Sequence, residues 1–412
     1  MKKTQQASSI SVRTTIGDRL LCAINIVLMV SFIVFEIDAK GKYVYLGIIS
    51  LFFVVFAIHS KFKIRVKLDP FILFTALFVL FCMLSMIWAK DSNLTYRRFT
   101  TVFETVLFMW VLYLYHNNRN DIGDILDIIC ISGYCVGLYA IFKYGLGTIR
   151  MIVAAGDRAG NSFTNINTIG MMCAIAIVIT ISRLVNRTYK IEMVLAIPCA
   201  LMVIASGSRK AFAVLLIGIT LTILFRVIKH STTPGLTLLR FILIVIVIIV
   251  VGKYIFSLPI MKSLVDPMNR FLNYFSGEGS TDESTRRRMS YITLGISQFL
   301  KTPIVGIGIG NSPLIIGRDT YLHNNYVELL ACGGIIGTVI YYLPYWVSLK
   351  NTIRYRSVSD TDNDLCFVLL ILVLIMDFGQ VSYFSKDTYF YLLLFFCNLN
   401  CLRNRYNNLC LK

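Results

Sequence analysis

The chain has 412 residues, of which 57% are hydrophobic and only 15% charged, with a formal net charge of +18 and a mean hydropathy of +0.71. A soluble globular chain carries about 45–50% apolar and about 25% charged residues, so this one has too little charge to solvate a surface of its own. A disordered chain, a disulfide scaffold and a cytosolic enzyme are excluded, and a polytopic membrane protein remains.

A helix that crosses the bilayer core needs about 20 apolar residues. Runs of this kind are predicted near 19–37, 43–58, 70–88, 99–115, 122–145, 161–182, 192–206, 210–226, 241–257, 322–347, 364–384 and 388–402. A membrane β-barrel would alternate apolar and polar positions over about ten residues, and the unbroken apolar run from Phe241 to Val251 does not. The expected fold is an all-α membrane protein with about 12 transmembrane helices. It is read as a single domain over 1–412, with one exterior loop, 258–321, between the ninth and tenth helices and containing an amphipathic helix. No small-residue cleavage site follows the first apolar run, which reads as an ordinary first span.

Basic residues in short loops set the orientation. They run from Lys2, Lys3, Arg13 and Arg19 through Lys61, Lys63, Arg65 and Lys67 to Arg119, Arg183, Arg187 and Lys190. Arg226, Lys229, Arg240, Lys350, Arg354, Arg356, Arg403, Arg405 and Lys412 complete the same face. Both termini are therefore expected in the cytoplasm. Eight further basic residues lie between Lys253 and Arg318, around the long loop, which translocates regardless of its charge. Clustered arginines on that outer face point to an anionic ligand, because a guanidinium grips phosphate through two parallel hydrogen bonds. The eleven cysteines contain no Cys-x-x-Cys and read as small packing residues.

The motifs follow in chain order. Glu104, Asp127 and Asp377 fall inside predicted spans, and intramembrane carboxylates mark transport pathways; a secondary transporter is therefore a competing class. Arg158 stands in Gly-Asp-Arg-Ala-Gly and Arg209 in Ser-Gly-Ser-Arg-Lys-Ala, both at helix ends. Residues 284–301 have Met289, Ile292, Ile296, Phe299 and Leu300 at helical spacing, so an amphipathic helix is expected along the membrane surface. Arg286 and Arg288 flank its stripe and Arg287 points away. Next comes Pro303-Ile-Val-Gly-Ile-Gly-Ile-Gly310, which fails the nucleotide-binding patterns and is expected to be a glycine turn, one whose N–H groups could face an anion. His323 is the one histidine of four expected outside, and an imidazole there can act as a base or hold a phosphate. Asn324 and Glu328 are four apart and are expected to pair on one helix face. Gly333 and Gly337 form a Gly-x-x-x-Gly face open to a neighbouring helix.

Together, Arg288-Met-Ser-Tyr through Pro303-Ile-Val-Gly-Ile-Gly-Ile-Gly-Asn311 and His323-Asn-Asn-Tyr-Val-Glu-Leu-Leu-Ala-Cys-Gly-Gly-Ile-Ile-Gly337 resemble the signature of the O-antigen ligase and polymerase family. Arg158-Ala-Gly-Asn-Ser-Phe-Thr-Asn-Ile-Asn-Thr-Ile-Gly170 and Ser206-Gly-Ser-Arg-Lys-Ala211 resemble it as well. The resemblance implies a glycosyltransferase of the inner membrane that joins a glycan carried on undecaprenyl diphosphate to a sugar hydroxyl, with neither nucleotide nor metal as cofactor. It implies catalytic roles for Arg209, Arg288 and His323. Arg286 and Arg287 compete for the place of Arg288, since many members have Trp four places after the loop arginine and here Tyr291 stands three places after Arg288. Arg158, Arg286, Arg287, Asn324 and Glu328 are implied substrate contacts, with Asp319 or Glu328 as an acidic alternative to His323. The motif Asp282-Glu-Ser-Thr-Arg-Arg-Arg288 is similar to that of polymerases of capsule and O-antigen repeat units. The alternative is a ligase whose acceptor is the lipid A core. The expected partners are the lipid-linked donor, the glycan acceptor and membrane lipids, and no nucleic acid.

Overall fold

A computed structural model describes residues 15–35, 41–63, 69–119, 122–155, 159–160, 164–184, 190–229, 246 and 283–410. Arg158, the predicted span 241–257 and residues 258–282 of the expected exterior loop lie outside the described residues. Within them the chain is helical and contains no strand. The helices are α1 (Ile16–Val34), α2 (Gly41–His59), α3 (Pro70–Leu84), α4 (Ser92–His116), α5 (Gly123–Tyr144), α6 (Leu146–Ala155), α7 (Ile166–Leu184), α8 (Lys190–Ala205) and α9 (Arg209–Lys229). After the undescribed stretch come α10 (Glu283–Lys301), α11 (Ser312–Ile316), α12 (Asn325–Arg354), α13 (Thr361–Met376) and α14 (Lys386–Cys410).

Their starts are written in the sequence. Thr15 and Asp18 form a reciprocal capping box on α1, Asp69 caps α3 just before Pro70, Asp91 caps α4, and Asp360 with Asn363 boxes α13. Each such cap satisfies N–H groups that the first helical turn leaves open and is worth about 1 kcal/mol.

Among the described residues, seven helices are long and apolar enough to cross a membrane: α1, α3 with the turn that follows it, α4, α5, α7, α9 and α12. The expected count of twelve is not reached there. Apolar stretches in α2 and α8 are shorter. The predicted span 364–384 stops at Met376, because residues 377–385 leave the helix and fold back. Asn398, Asn400, Arg403, Asn404 and Arg405 make the second half of α14 polar.

The helices alternate between two ends of one bundle. At one end Asp18 of α1 meets His59 at the end of α2 and Arg119 just after α4, and Arg119 also meets Asp124 of α5. At the other, Thr164 donates to Ile33 O at the end of α1, and Lys210 of α9 donates to Gly379 O beyond α13. Residues 15 and 410 are at the Asp18 end. Packing runs through two groups. In one, α7 lies against α5, α8 and α9, and α13 joins α9; small residues permit it, since a Cβ on Gly133 of α5 would lie 2.5 Å from that of Ala176. In the other, α3, α4, α12 and α14 meet through aromatic rings, including Phe71 with Tyr113 (centroids 4.5 Å apart) and Phe78 with Tyr341 (5.1 Å).

Candidate active site

The glycine turn positions the site. Gly334 interrupts α12 at φ 63°, ψ −166°, which no helix accommodates. A break inside an apolar bundle strands backbone polar groups, and these must be matched by protein. Residues 303–308 do so: Ile335 N and Ile336 N donate to Pro303 O (2.8 Å) and Ile304 O (3.1 Å), while Ile307 N and Gly308 N donate to Ala331 O (3.2 Å) and Cys332 O (2.9 Å). The approach is so close that a Cβ on Gly334 would stand 2.3 Å from Ile304 O, and one on Gly306 2.4 Å from the Cys332 carbonyl carbon. The positive-φ turn is as expected, with φ 66°, 99° and 83° at Gly306, Gly308 and Gly310. The expected anion cradle is not: the N–H groups of residues 306–309 are spent on Thr302 O, Ala331 O, Cys332 O and Ser85 Oγ. Gly333 and Gly337 let α3 approach closely, as expected: a Cβ on Gly337 would stand 2.5 Å from the ring of Phe81, and one on Gly333 3.1 Å from Ile309 Cδ1 and 3.4 Å from that ring.

Helix α10 then lies across the start of α12. Its apolar stripe divides. Tyr291 and Ile292 pack with Leu322, Val327 and Ala331, and Gly295 lets Val327 approach to 2.5 Å of where a Cβ would stand. Ile296 and Leu300 remain exposed, together with Ile304, as a lipid-facing edge would be. So the helix is bound to the bundle on one side as well as amphipathic at a surface. This packing turns Arg288 inward and leaves Arg286 outside.

His323 occupies the turn between α11 and α12. Its backbone is left-handed, at φ 58°, a conformation uncommon outside glycine and one that surrounding structure must impose. The anchors lie on both sides. Leu322 is fully buried and its N–H donates to Glu328 Oε2 (2.9 Å). Asn324 Oδ1 accepts from Val327 N (3.1 Å) as the cap of α12, and Asn325 N donates to Asp377 O (2.8 Å). The Asn325 side chain donates to Tyr342 Oη and to Asp377, and its Oδ1 accepts from Ser382 N and Tyr383 N. Asp377 itself accepts from Ser382 Oγ (2.5 Å) and Tyr342 Oη (2.8 Å). The buried carboxylate thus ties residues 377–385 to the root of the His323 turn.

These strands of chain enclose an open cleft. Arg288, Lys210, His323, Asp387, Gln380 and Asn165 present polar groups to it, and Met171, Met172, Ile175 and Met376 give it an apolar wall from the bundle. The imidazole of His323 stacks on Tyr291 (centroids 6.1 Å apart, planes 8° apart) and meets Tyr321 edge-on at 4.5 Å. Burial pushes its pKa down to about 4, and the charges of Arg288 and Lys210 push the same way, so the ring is neutral at physiological pH.

The sequence-derived candidates separate on this geometry. Arg288 and His323 come together. Arg209 is half-buried at the first position of α9, and it is the next residue, Lys210, whose side chain lines the cleft. Arg287, not Arg286, shares with Arg288 a second opening beside His323, and it also pairs with Glu283. Asn324 and Glu328 do not pair. Asn324 caps α12 and donates to Phe378 O (3.3 Å), and Glu328 is fully buried with its oxygens taken by Ser312 and Leu322. Asp377 is not a solitary midplane carboxylate but part of the knot described above. Sequence reading missed Lys210 and Asp387. The first was visible beside Arg209, whereas an acidic residue in the first turn of a helix reads only as a dipole complement.

The sequence model of the family described as O-antigen ligase matches residues 193–342, the stretch that contains α8, α9, α10, the glycine turn and the first half of α12. That match supports the O-antigen ligase family for this chain. No curated protein matches it.

Proposed function

We propose that the protein transfers a glycan from undecaprenyl diphosphate to a sugar hydroxyl at the outer face of the cytoplasmic membrane, as a polymerase of polysaccharide repeat units. The observation that carries this reading is the convergence of two cations and one neutral imidazole in a cleft with an apolar bundle wall. A diphosphate carried on a polyprenyl chain needs cations beside an apolar surface, and a hydroxyl acceptor needs a base. In this reading the end that holds Arg119, Arg183, Lys229 and Arg405 is the cytoplasmic face, and the cleft faces outward.

In this reading the acceptor oxygen attacks the anomeric carbon of the donor sugar, forming the new C–O bond. The bond from that carbon to the phosphate oxygen breaks, and its electron pair leaves with undecaprenyl diphosphate. Arg288 and Lys210, with Arg209 next to it, stabilise the charge that grows on the leaving group, the role in which preorganised donors contribute most. His323 receives the hydroxyl proton. Bound diphosphate offsets the two cations that depress the His323 pKa, so the imidazole becomes more basic when the donor is in place. The cations here take the part that a metal plays in other transferases.

The test uses purified protein in lipid with the native undecaprenyl-diphosphate repeat unit, following free undecaprenyl diphosphate and product length. A ladder of longer lipid-linked glycans, lost in His323→Ala, is the expected result. Release only on addition of lipid A core identifies a ligase instead. Movement of the donor across the bilayer without release would put a carrier in its place.

A further inference from the structure

Beside the cleft just described is a second opening, of about 730 Å³, lined by Arg287, Arg288, Tyr291, Arg318, Asp319 and Thr320, with His323 between the two. Arg288 and His323 are the residues common to both. The two openings differ in kind. The first has methionine and isoleucine walls from the bundle helices, whereas the second, among the described residues, is built from α10 and residues 318–323 and carries no aliphatic residue in its lining.

The geometry points to the second opening as the acceptor site, one that holds an anionic sugar unit, carboxylate or phosphate, on Arg287 and Arg318. This rests on the donor assignment of the first cleft. Three guanidiniums line the opening against one carboxylate, Asp319. Arg287 also reaches Glu283 one turn before it, on an open surface where both side chains are at least half exposed. Such exposed pairs are worth little and exchange readily, so a ligand anion can replace Glu283. A guanidinium offers a planar fork suited to carboxylate or phosphate. Tyr291 supplies a ring beside these forks and stacks on His323, which brings an occupant of this opening to the face of the proposed base. An acceptor hydroxyl can thus reach His323 from one side while the donor reaches it from the other. Among the described residues no aliphatic side chain lines this opening for a lipid tail to lie on, and a water-exposed sugar chain needs none.

The experiment measures binding to the full chain in lipid nanodiscs, using tetragalacturonate, a phosphorylated maltotetraose and neutral maltotetraose, each with and without undecaprenyl diphosphate. At least one of the anionic oligosaccharides is expected to bind about tenfold or more tighter than the neutral one, the scale of one charge-assisted contact, and which of them does so identifies the anion. Undecaprenyl diphosphate should not displace it. The double variant Arg287→Gln with Arg318→Gln should lose that preference and keep its affinity for undecaprenyl diphosphate within about twofold. Equal binding of neutral and anionic probes, displacement by undecaprenyl diphosphate, or an unchanged double variant overturns the proposal. If undecaprenyl diphosphate fails to bind while Arg287 and Arg318 still select the anionic probe, the donor assignment fails and the anionic sugar site stands.

Discussion

The two ends of the bundle treat charge in opposite ways. At the Asp18 end four cations are matched by carboxylates: Arg119 lies between Asp18 and Asp124, Arg183 meets Asp127 at 2.5 Å, Lys229 meets Asp364 at 2.8 Å and Arg405 meets Asp360 at 2.6 Å. At the cleft end Arg288 makes no ion pair among the described residues, and it shares an open cavity with Lys210 and one carboxylate, Asp387. The same residue types therefore do different work. Matched pairs between helices fix how those helices pack, while cations turned toward an open cleft leave a positive field within it. Charge alone does not mark a site; the partner does.

The sharpest way to break this comparison is to remove one cation from each end. Arg288→Ala should lower transfer by about 10²–10³ and His323→Ala by about 10²–10⁴, the ranges for losing a charge-stabilising donor and a general base. Thermal unfolding in detergent should hardly move in either. Arg119→Ala should do the reverse, since truncating one partner of a largely buried pair leaves uncompensated charge and costs about 3 kcal/mol. An Arg119 variant as stable as the parent, or an Arg288 variant that unfolds early, would erase the distinction between the two ends.

Asp377 tests an intermediate case, a buried carboxylate at the cleft end that is satisfied by Ser382, Tyr342 and Asn325. It acts on the reaction through the turn that carries His323. Asp377→Asn keeps the shape but replaces one accepting oxygen with a donating amide, so that Ser382 Oγ must turn to accept from it; kcat is expected to fall about tenfold, a loss of the size that small misplacement of a catalytic group brings, while the KM for donor stays within about twofold. A selective rise in KM would mean instead that Asp377 contacts substrate.

Acidity sharpens the comparison further. Because His323 is depressed to about 4 in the free protein, its neutral form persists as the pH falls from 8 to 5. The acid limb of kcat/KM, which reports the free enzyme, is expected near 4. The limb of kcat, which reports the complex, should lie at higher pH, because bound diphosphate opposes Arg288 and Lys210. The sign for stability follows the same shift. Folding disfavours the protonated ring, so this group's contribution is full above the unfolded value of about 6.5 and is lost as the pH falls toward 4.

The membrane class and the nearness of Arg288 to His323 were legible in the sequence, whereas the start of α4 at Asp91, where the expected span began at 99, was not read there although its capping side chain is local. Apolar length, capping side chains and local motifs are short-range signals. What else was hidden depends on contacts between distant segments. The break at Gly334 reads as a small-residue packing face until residues 303–308 are seen to fill it. Asp377 reads as an intramembrane charge until Asn325, 52 residues earlier, is found against it. Glu328 reads as an exposed partner of Asn324 until Ser312 and Leu322 claim its oxygens. Lys210 loses to Arg209 on motif position, although the cleft admits the lysine.

The smallest expected effect is the most exacting, because it separates three adjacent arginines that composition cannot tell apart. Helical residues turn by about 100° each, so 286, 287 and 288 point to three sides of α10. Arg288 lines both openings, Arg287 only the second, and Arg286 neither. Arg286→Ala should therefore leave donor turnover within about twofold. Arg287→Ala should raise the KM for the acceptor without changing that for the donor, and Arg288→Ala should lose kcat outright. If Arg286 mattered as much as Arg288, the three would be acting as a diffuse cationic patch that attracts anionic lipid, an effect that salt would screen within a Debye length of about 8 Å. The graded order, persisting in salt, is what an oriented site requires.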